Sequence, residues 1–197
     1  MSARKKAIEP SDLMSVEAYS KVRKERRAGL VERKRNRRLS VGPAATLHFE
    51  NYESMWFQVQ EMLYIERGGA DQVDGELAAY NPLIPKGSEL VATVLFEVDD
   101  PERRRAFLAK LGGVENSAFI EVGGERVTGV PAPDQDRSTA EGKASSVQFI
   151  HFPFGAGAIA AFRKPGARVT VGFDHPAYAH MTILPEPVRA ALAEDFD

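Results

Sequence analysis

Residues 45–50 alternate Leu47 and Phe49 with Thr46, His48 and Glu50, the two-residue period of a half-buried strand, so Leu47 and Phe49 are expected on its core face. The pattern then changes. Asn51 is placed to cap a helix over 52–67, stopped by Gly68-Gly69. At ~100° per residue, Tyr52, Met55, Trp56, Val59, Met62 and Leu63 form one apolar stripe, while Phe57 and Tyr64 form a second patch. A helix of that kind is expected to be covered on more than one side, by its own chain, around a cavity or in a homo-oligomer. Ser54, Gln58 and Glu61 occupy the polar strip, and Glu66 falls inside the main stripe.

Upstream, Ser11-Asp12 or Ser15 can cap a helix running to about residue 35, with Val16, Tyr19, Val22, Leu30 and Val31 near helical spacing, Gly29 as a weak point and a dense Lys/Arg face. Downstream, residues 71–80 read as a helix ended by Asn81-Pro82, and Pro85-Lys86-Gly87 as a turn into a strand over 89–98. Asp100-Pro101-Glu102 supplies a cap, a proline at the first helical position and an early acid, opening a helix that reaches Gly112-Gly113. Gly123-Gly124 joins two strands, 118–122 and 125–130, into a hairpin. Residues 131–143 read as a polar loop, 146–154 and 168–173 as strands, 158–162 as a short helix and 187–194 as a terminal one. Six strands joined by hairpins and helices, without βαβ alternation, predict an α+β fold with a largely antiparallel sheet.

Charge divides the chain. Residues 1–38 hold thirteen Lys/Arg against five Asp/Glu, net +8, which leaves thirteen against twenty-three, net −10, for residues 39–197. We therefore expect a basic helical N-terminal extension, 1–38, on a single α+β domain, 39–197. The sequence contains no cysteine, which removes disulfides, thiolate catalysis and Cys-ligated metal sites. No apolar run approaches the ~18 residues of a membrane helix and no secretory leader is evident, so a cytoplasmic protein is expected.

Five segments, RKRNRRLSVGP (33–43), LHFENYESMWFQVQEML (47–63), ELAAYNPLIPKGSELVATVLFE (76–97), RSTAEGKASSVQF (137–149) and GFDHPAY (172–178), together resemble an uncharacterised bacterial family classed as a domain of unknown function. The resemblance spans nearly the whole chain. It implies a gene neighbourhood shared with a rubrerythrin-like protein and a heterodisulfide-reductase-like iron–sulfur oxidoreductase, and hence a role in redox or peroxide stress. One departure stands out: relatives tend to carry a His where Gln148 stands, whereas this chain has its imidazole at His151.

Three functional expectations follow. The first is a non-catalytic accessory protein that engages an electron-transfer partner, rubrerythrin-like or iron–sulfur, through the Glu50–Glu66 region or a basic stretch containing Arg33, Lys34, Arg35, Arg37 and Arg38. The second is a metalloprotein binding iron, manganese or zinc through His175 and His180 with Glu50, Glu61 or Glu66, since imidazole and carboxylate suit those ions; Asp174-His175-Pro176 reads equally as a simple turn. Glu66 in an apolar stripe also has the placement of a desolvated acid, or of a partner for Arg67 or Arg38. The third is nucleic-acid binding, which the basic clusters would serve by neutralising phosphates but which interleaved aromatics do not support. Docking of the basic helix on the acidic remainder accounts for the same charges. Arg137 and Ser138, in the polar loop, form a candidate anion site.

Overall fold

The computed structural model describes residues 5–133 and 143–197. Six α-helices and nine strands are found there: α1 Val16–Arg35, β1 Arg38–Val41, β2 Ala45–Phe49, α2 Tyr52–Glu66, α3 Ala70–Tyr80, β3 Glu89–Phe96, α4 Pro101–Leu108, β4 Ala118–Val122, β5 Glu125–Thr128, β6 Val130–Pro131, β7 Val147–Pro153, α5 Ala156–Arg163, β8 Val169–His175, β9 Tyr178–Ile183 and α6 Glu186–Ala193. The α+β class holds, but the strands form two antiparallel sheets, ordered β1-β2-β3-β7-β6 and β5-β4-β8-β9.

The inward faces of the two sheets share one hydrophobic core, in which Leu47, Phe49, Val94 and Phe152 meet Ile120, Val171 and Phe173, with Leu108, Phe162 and Leu192 supplied by α4, α5 and α6. Leu47 and Phe49 are buried, as their alternation requires. Ring contacts cross between the sheets: Phe96 on β3 lies 5.9 Å from Phe173 and 5.7 Å from Tyr178. The Tyr178 hydroxyl donates to the Val41 carbonyl at 2.7 Å and accepts from the amides of Ala44 and Ala45 at 3.0 and 2.8 Å. Those bonds satisfy buried backbone groups of the β1–β2 turn and tie β9 to β1.

The other face of the first sheet carries a second core. Val91 packs there with Met55, Val59 and Leu63 of α2, Leu77 of α3 and Ile8 from the segment before α1. β3, at the centre of that sheet, is consequently buried on both faces, which is why ELVATVLF reads as a nearly unbroken apolar run.

Two features went unforeseen. β1 alternates over only four residues, β6 is two residues long, and β9 exposes all but Tyr178 and Thr182, so none of the three stands out in the sequence. α4 ends at Leu108 rather than continuing to Gly112. Gly29 does not interrupt α1, and the caps at Ser15, Asn51 and Asp100 all form. No described helix is long and apolar enough to cross a membrane.

Candidate functional site

Helix α1 lies along α2, fixed by one fully buried tyrosine. Tyr19 meets Trp56, Phe57 and Tyr64 edge-on with ring centroids 6.2, 6.4 and 6.0 Å away, so the second apolar patch of α2 is covered by the chain itself. Its hydroxyl donates to Glu61 at 2.7 Å, and the Arg23 guanidinium grips both oxygens of the same carboxylate at 2.8 Å. That fork holds the Glu61 carboxyl below the usual carboxylate range, with Tyr19 assisting. Burial, then the hydrogen bond to Glu61, pushes the Tyr19 phenol well up, so it remains a donor. Just before α1, the buried Gln60 amide accepts from the Met14 amide at 2.5 Å and donates back to the Met14 carbonyl at 3.4 Å.

The basic residues singled out from the sequence divide sharply. Arg33 pairs with Glu53 of α2 at 2.7 Å, Arg35 with Glu32 on its own helix at 3.5 Å and Arg38 with Glu97 at 3.6 Å, while Lys34 is half-buried. Arg37 is a correction to the surface assignment: it is buried, ion-paired with Asp195 and bonded to the carbonyls of Phe49 and Glu50 at 3.0 Å. A guanidinium can be buried only where its donors are met in this way. Lys24, Arg26 and Arg27 are exposed and have no ion pair among the described residues, although none belonged to the stretch expected to bind a partner. Helical spacing from Tyr19 and Arg23, which face α2, was a signal for Lys24, turned away from them by ~100° or more, but not for Arg26 and Arg27, which fall nearer that face.

Two concavities flank this helix pair. One, of about 660 Å³, lies between the segment around Leu13 and Met14, the end of α2 at Leu63 and Tyr64, and the start of α3 at Ala70 and Val73. The other, of about 320 Å³, lies between α1 and α2, with Tyr52, Trp56 and Phe57 on one wall and Arg26, Leu30 and Arg33 on the other. The Arg26 guanidinium sits over the Trp56 ring, 5.4 Å from its centroid, and the indole N–H donates to the Asp12 carbonyl at 2.9 Å. Burial and a hydrogen bond to Asp12 push the Tyr52 phenol up to about 12.

The expected metal ligands do not converge: among the described residues no group of three or more His, Asp or Glu is placed to hold a metal ion. His175 donates from Nε2 to the Gly112 carbonyl at 3.1 Å and accepts at Nδ1 from the Ala177 amide at 3.2 Å, the turn reading of that motif. His180 packs on the Tyr178 ring, 4.6 Å between centroids. Glu61 belongs to Arg23 and Tyr19. Glu66 is exposed and accepts from Gln72 at 2.8 Å, because the last turn of α2 runs past the body and its place in the stripe buries nothing. Glu50 alone is buried, accepting from Thr93 Oγ1 at 2.8 Å and Ser54 Oγ at 2.5 Å. Arg137 and Ser138 lie outside the described residues.

Two histidines sit on the outer face of the first sheet. His48, two residues before Glu50 and in register with Arg38 and Thr93, has its pKa lowered by burial, with Glu50 opposing that shift. His151 lies 2.9 Å through Nδ1 from Glu89. Gln148 is buried and donates to the Ser145 carbonyl at 3.0 Å.

The fold recurs in another protein. The crystal structure of a novel protein of unknown function from Burkholderia pseudomallei K96243, solved at 1.90 Å, is similar to this chain with 36% sequence identity and a TM-score of 0.90, over 97% of this chain and 100% of that one. No curated protein matches the sequence. Residues 7–196 match the family model described as Protein of unknown function (DUF3501), which reaches from the segment preceding α1 to the residue that closes the ring cluster after α6, and the chain belongs to that family.

Proposed function

We propose that this protein acts by binding a partner protein on its basic helix, as a non-catalytic accessory of a redox or peroxide-stress system, with a rubrerythrin-like or iron–sulfur electron-transfer protein as the partner that the sequence resemblance implies. The observation that carries the binding part is how the charges of α1 are used. Arg23 and Arg33 are taken up by Glu61 and Glu53 of α2, and Arg37 and Arg38, just beyond the helix, by Asp195 and Glu97. Self-docking thus consumes these four cations. Lys24 and Arg27 are left exposed without an ion pair among the described residues, and Arg26 is left exposed over the Trp56 ring, on a helix whose position is fixed by Tyr19 and Leu30. Exposed charge held on a rigid element steers an oppositely charged partner and fixes its orientation at little ordering cost.

The same cations would serve nucleic acid, but Glu17, Glu25 and Glu32 are interspersed with them on α1 and oppose a phosphate backbone. A mixed surface favours a protein. Affinity capture from the native host under crosslinking tests the proposal, comparing the parent with a Lys24→Glu/Arg27→Glu variant. The expected result is repeated recovery of a rubrerythrin-like or iron–sulfur protein by the parent and its loss by the variant. Recovery of neither protein by the parent, or equal recovery by both baits, would overturn it.

A further inference from the structure

We infer that the concavity between α1 and α2 is the anchor point of that partner, and that it receives an acidic segment, one apolar side chain of the segment seating against Trp56 and Tyr52 while its carboxylates meet Arg26 and Arg33. The inference rests on the partner-binding reading and adds a site and a ligand chemistry to it.

Composition is the first argument. Tryptophan, tyrosine and arginine are the residues that dominate binding energy in protein interfaces, and all three converge here, at Trp56, Tyr52, Arg26 and Arg33. The aromatic wall is rigid before any partner arrives: the indole is held by the Asp12 carbonyl, and α2 is capped by a reciprocal pair of bonds between Asn51 and Ser54, each 2.9 Å. A preformed wall costs less to use than one ordered on binding.

Charge is the second. Two carboxylates line the concavity, and neither cancels its cations. Asp12 is occupied by Lys5 and by the Glu9 amide at 3.0 Å. Glu53 pairs with Arg33, but each side chain is 52% exposed, and an exposed ion pair contributes only ~0–1 kcal/mol. An incoming carboxylate can therefore exchange with Glu53 on Arg33. Arg26 stacks on Trp56 and has no carboxylate among the described residues, so its N–H groups are available. Size is the third argument: about 320 Å³ is at the lower end of ligand pockets, which suits one anchoring side chain better than a large cofactor. A nucleic-acid base fits less well, since stacking on Trp56 would displace Arg26 and bring phosphates towards Glu53.

The chain has one tryptophan, and it is in this concavity, so its emission reports occupancy directly. Full-length protein is titrated with a blocked hexapeptide of sequence DEDLED, with the charge-reversed KRKLKR, and with oligothymidylate. A saturable change with DEDLED only, weakened about tenfold or more by Arg26→Glu and less by Arg26→Gln, with far-UV circular dichroism unchanged, is the expected result. No saturable change up to about 1 mM DEDLED, equal response to KRKLKR, or tighter binding of oligothymidylate would overturn it. Capture separates the two proposals. A partner retained by Arg26→Glu and lost by Lys24→Glu/Arg27→Glu defeats the anchor and keeps the partner; saturable DEDLED binding with no electron-transfer protein captured keeps the anchor and defeats the redox assignment.

Discussion

Arg37 and Arg35 are two positions apart in one basic run, yet they do opposite things. Arg35 pairs with Glu32 at the surface, both side chains more than 60% exposed, whereas the Arg37 and Asp195 side chains are 8% and 4% exposed. Arg37→Ala strands a buried carboxylate and leaves the Phe49 and Glu50 carbonyls short of donors, so it is expected to lower the unfolding free energy by ~3–5 kcal/mol, against ~0.5 kcal/mol or less for Arg35→Ala, as urea denaturation would measure. This difference was illegible in the sequence because the partner of Arg37 lies 158 residues away. His48 supplies a pH signature. In the unfolded chain it titrates near the ordinary 6.5, and burial lowers its pKa in the fold. From about pH 6.5 downward the unfolded state therefore binds more protons, and stability falls with pH until the folded pKa is passed. Relative to His48→Asn, the parent should lose stability between pH 7.5 and 5.5; parallel curves would contradict the burial argument.

At the scale of elements, legibility follows burial. α2 could be read almost completely, down to its cap and its second apolar patch, because both of its long sides pack and both leave a periodic trace. β9 could not, since a strand with an exposed outer face and an edge position carries little pattern. The division into two sheets was equally hidden: periodicity gives each strand a face but no partner, and β3 pairs with β7 more than fifty residues on. The same limit applied to the candidate site, where the basic and aromatic residues were visible but their meeting across α1 and α2 was not. Two elements give direct tests. Asn51→Ala removes the acceptor for the Ser54 amide and should cost ~1 kcal/mol. Gly42 turns β1 into β2 at φ +67°, and a Cβ there would come within 2.6 Å of the His180 ring. Gly42→Ala should cost ~1–3 kcal/mol in thermal or urea unfolding, and adding His180→Ala should restore only part of it, because the ring goes while the Cβ of residue 180, 2.9 Å away, and the left-handed backbone stay.

For the molecule as a whole, the decisive joints are at the two ends of the described chain, which hold one another. Asp195 pairs with Arg37 at the end of α1; Phe196 packs against Phe154 and Phe162 with centroids 4.9 and 5.4 Å away; Asp197 donates its amide to the Gly87 carbonyl at 2.9 Å and pairs with Lys6 at 2.5 Å. Three consecutive residues thereby connect the N-terminal segment, the first core and the entry to β3. The exposed Lys6 pair contributes little, but the buried pair and the ring each account for several kcal/mol. Their joint loss approaches the ~5–15 kcal/mol by which a domain is stable at all. Removal of residues 195–197 should consequently abolish cooperative thermal unfolding, whereas Asp197→Ala alone should shift the midpoint by only a few degrees. Because Arg37 also holds the Phe49 and Glu50 carbonyls at the start of α2, that truncation is expected to loosen the α1–α2 contact as well, and Trp56 emission should shift towards that of an exposed indole. A truncated chain that kept the parent's emission and a sharp transition would show that α1 is fixed by Tyr19 and Leu30 without help from the C-terminal residues.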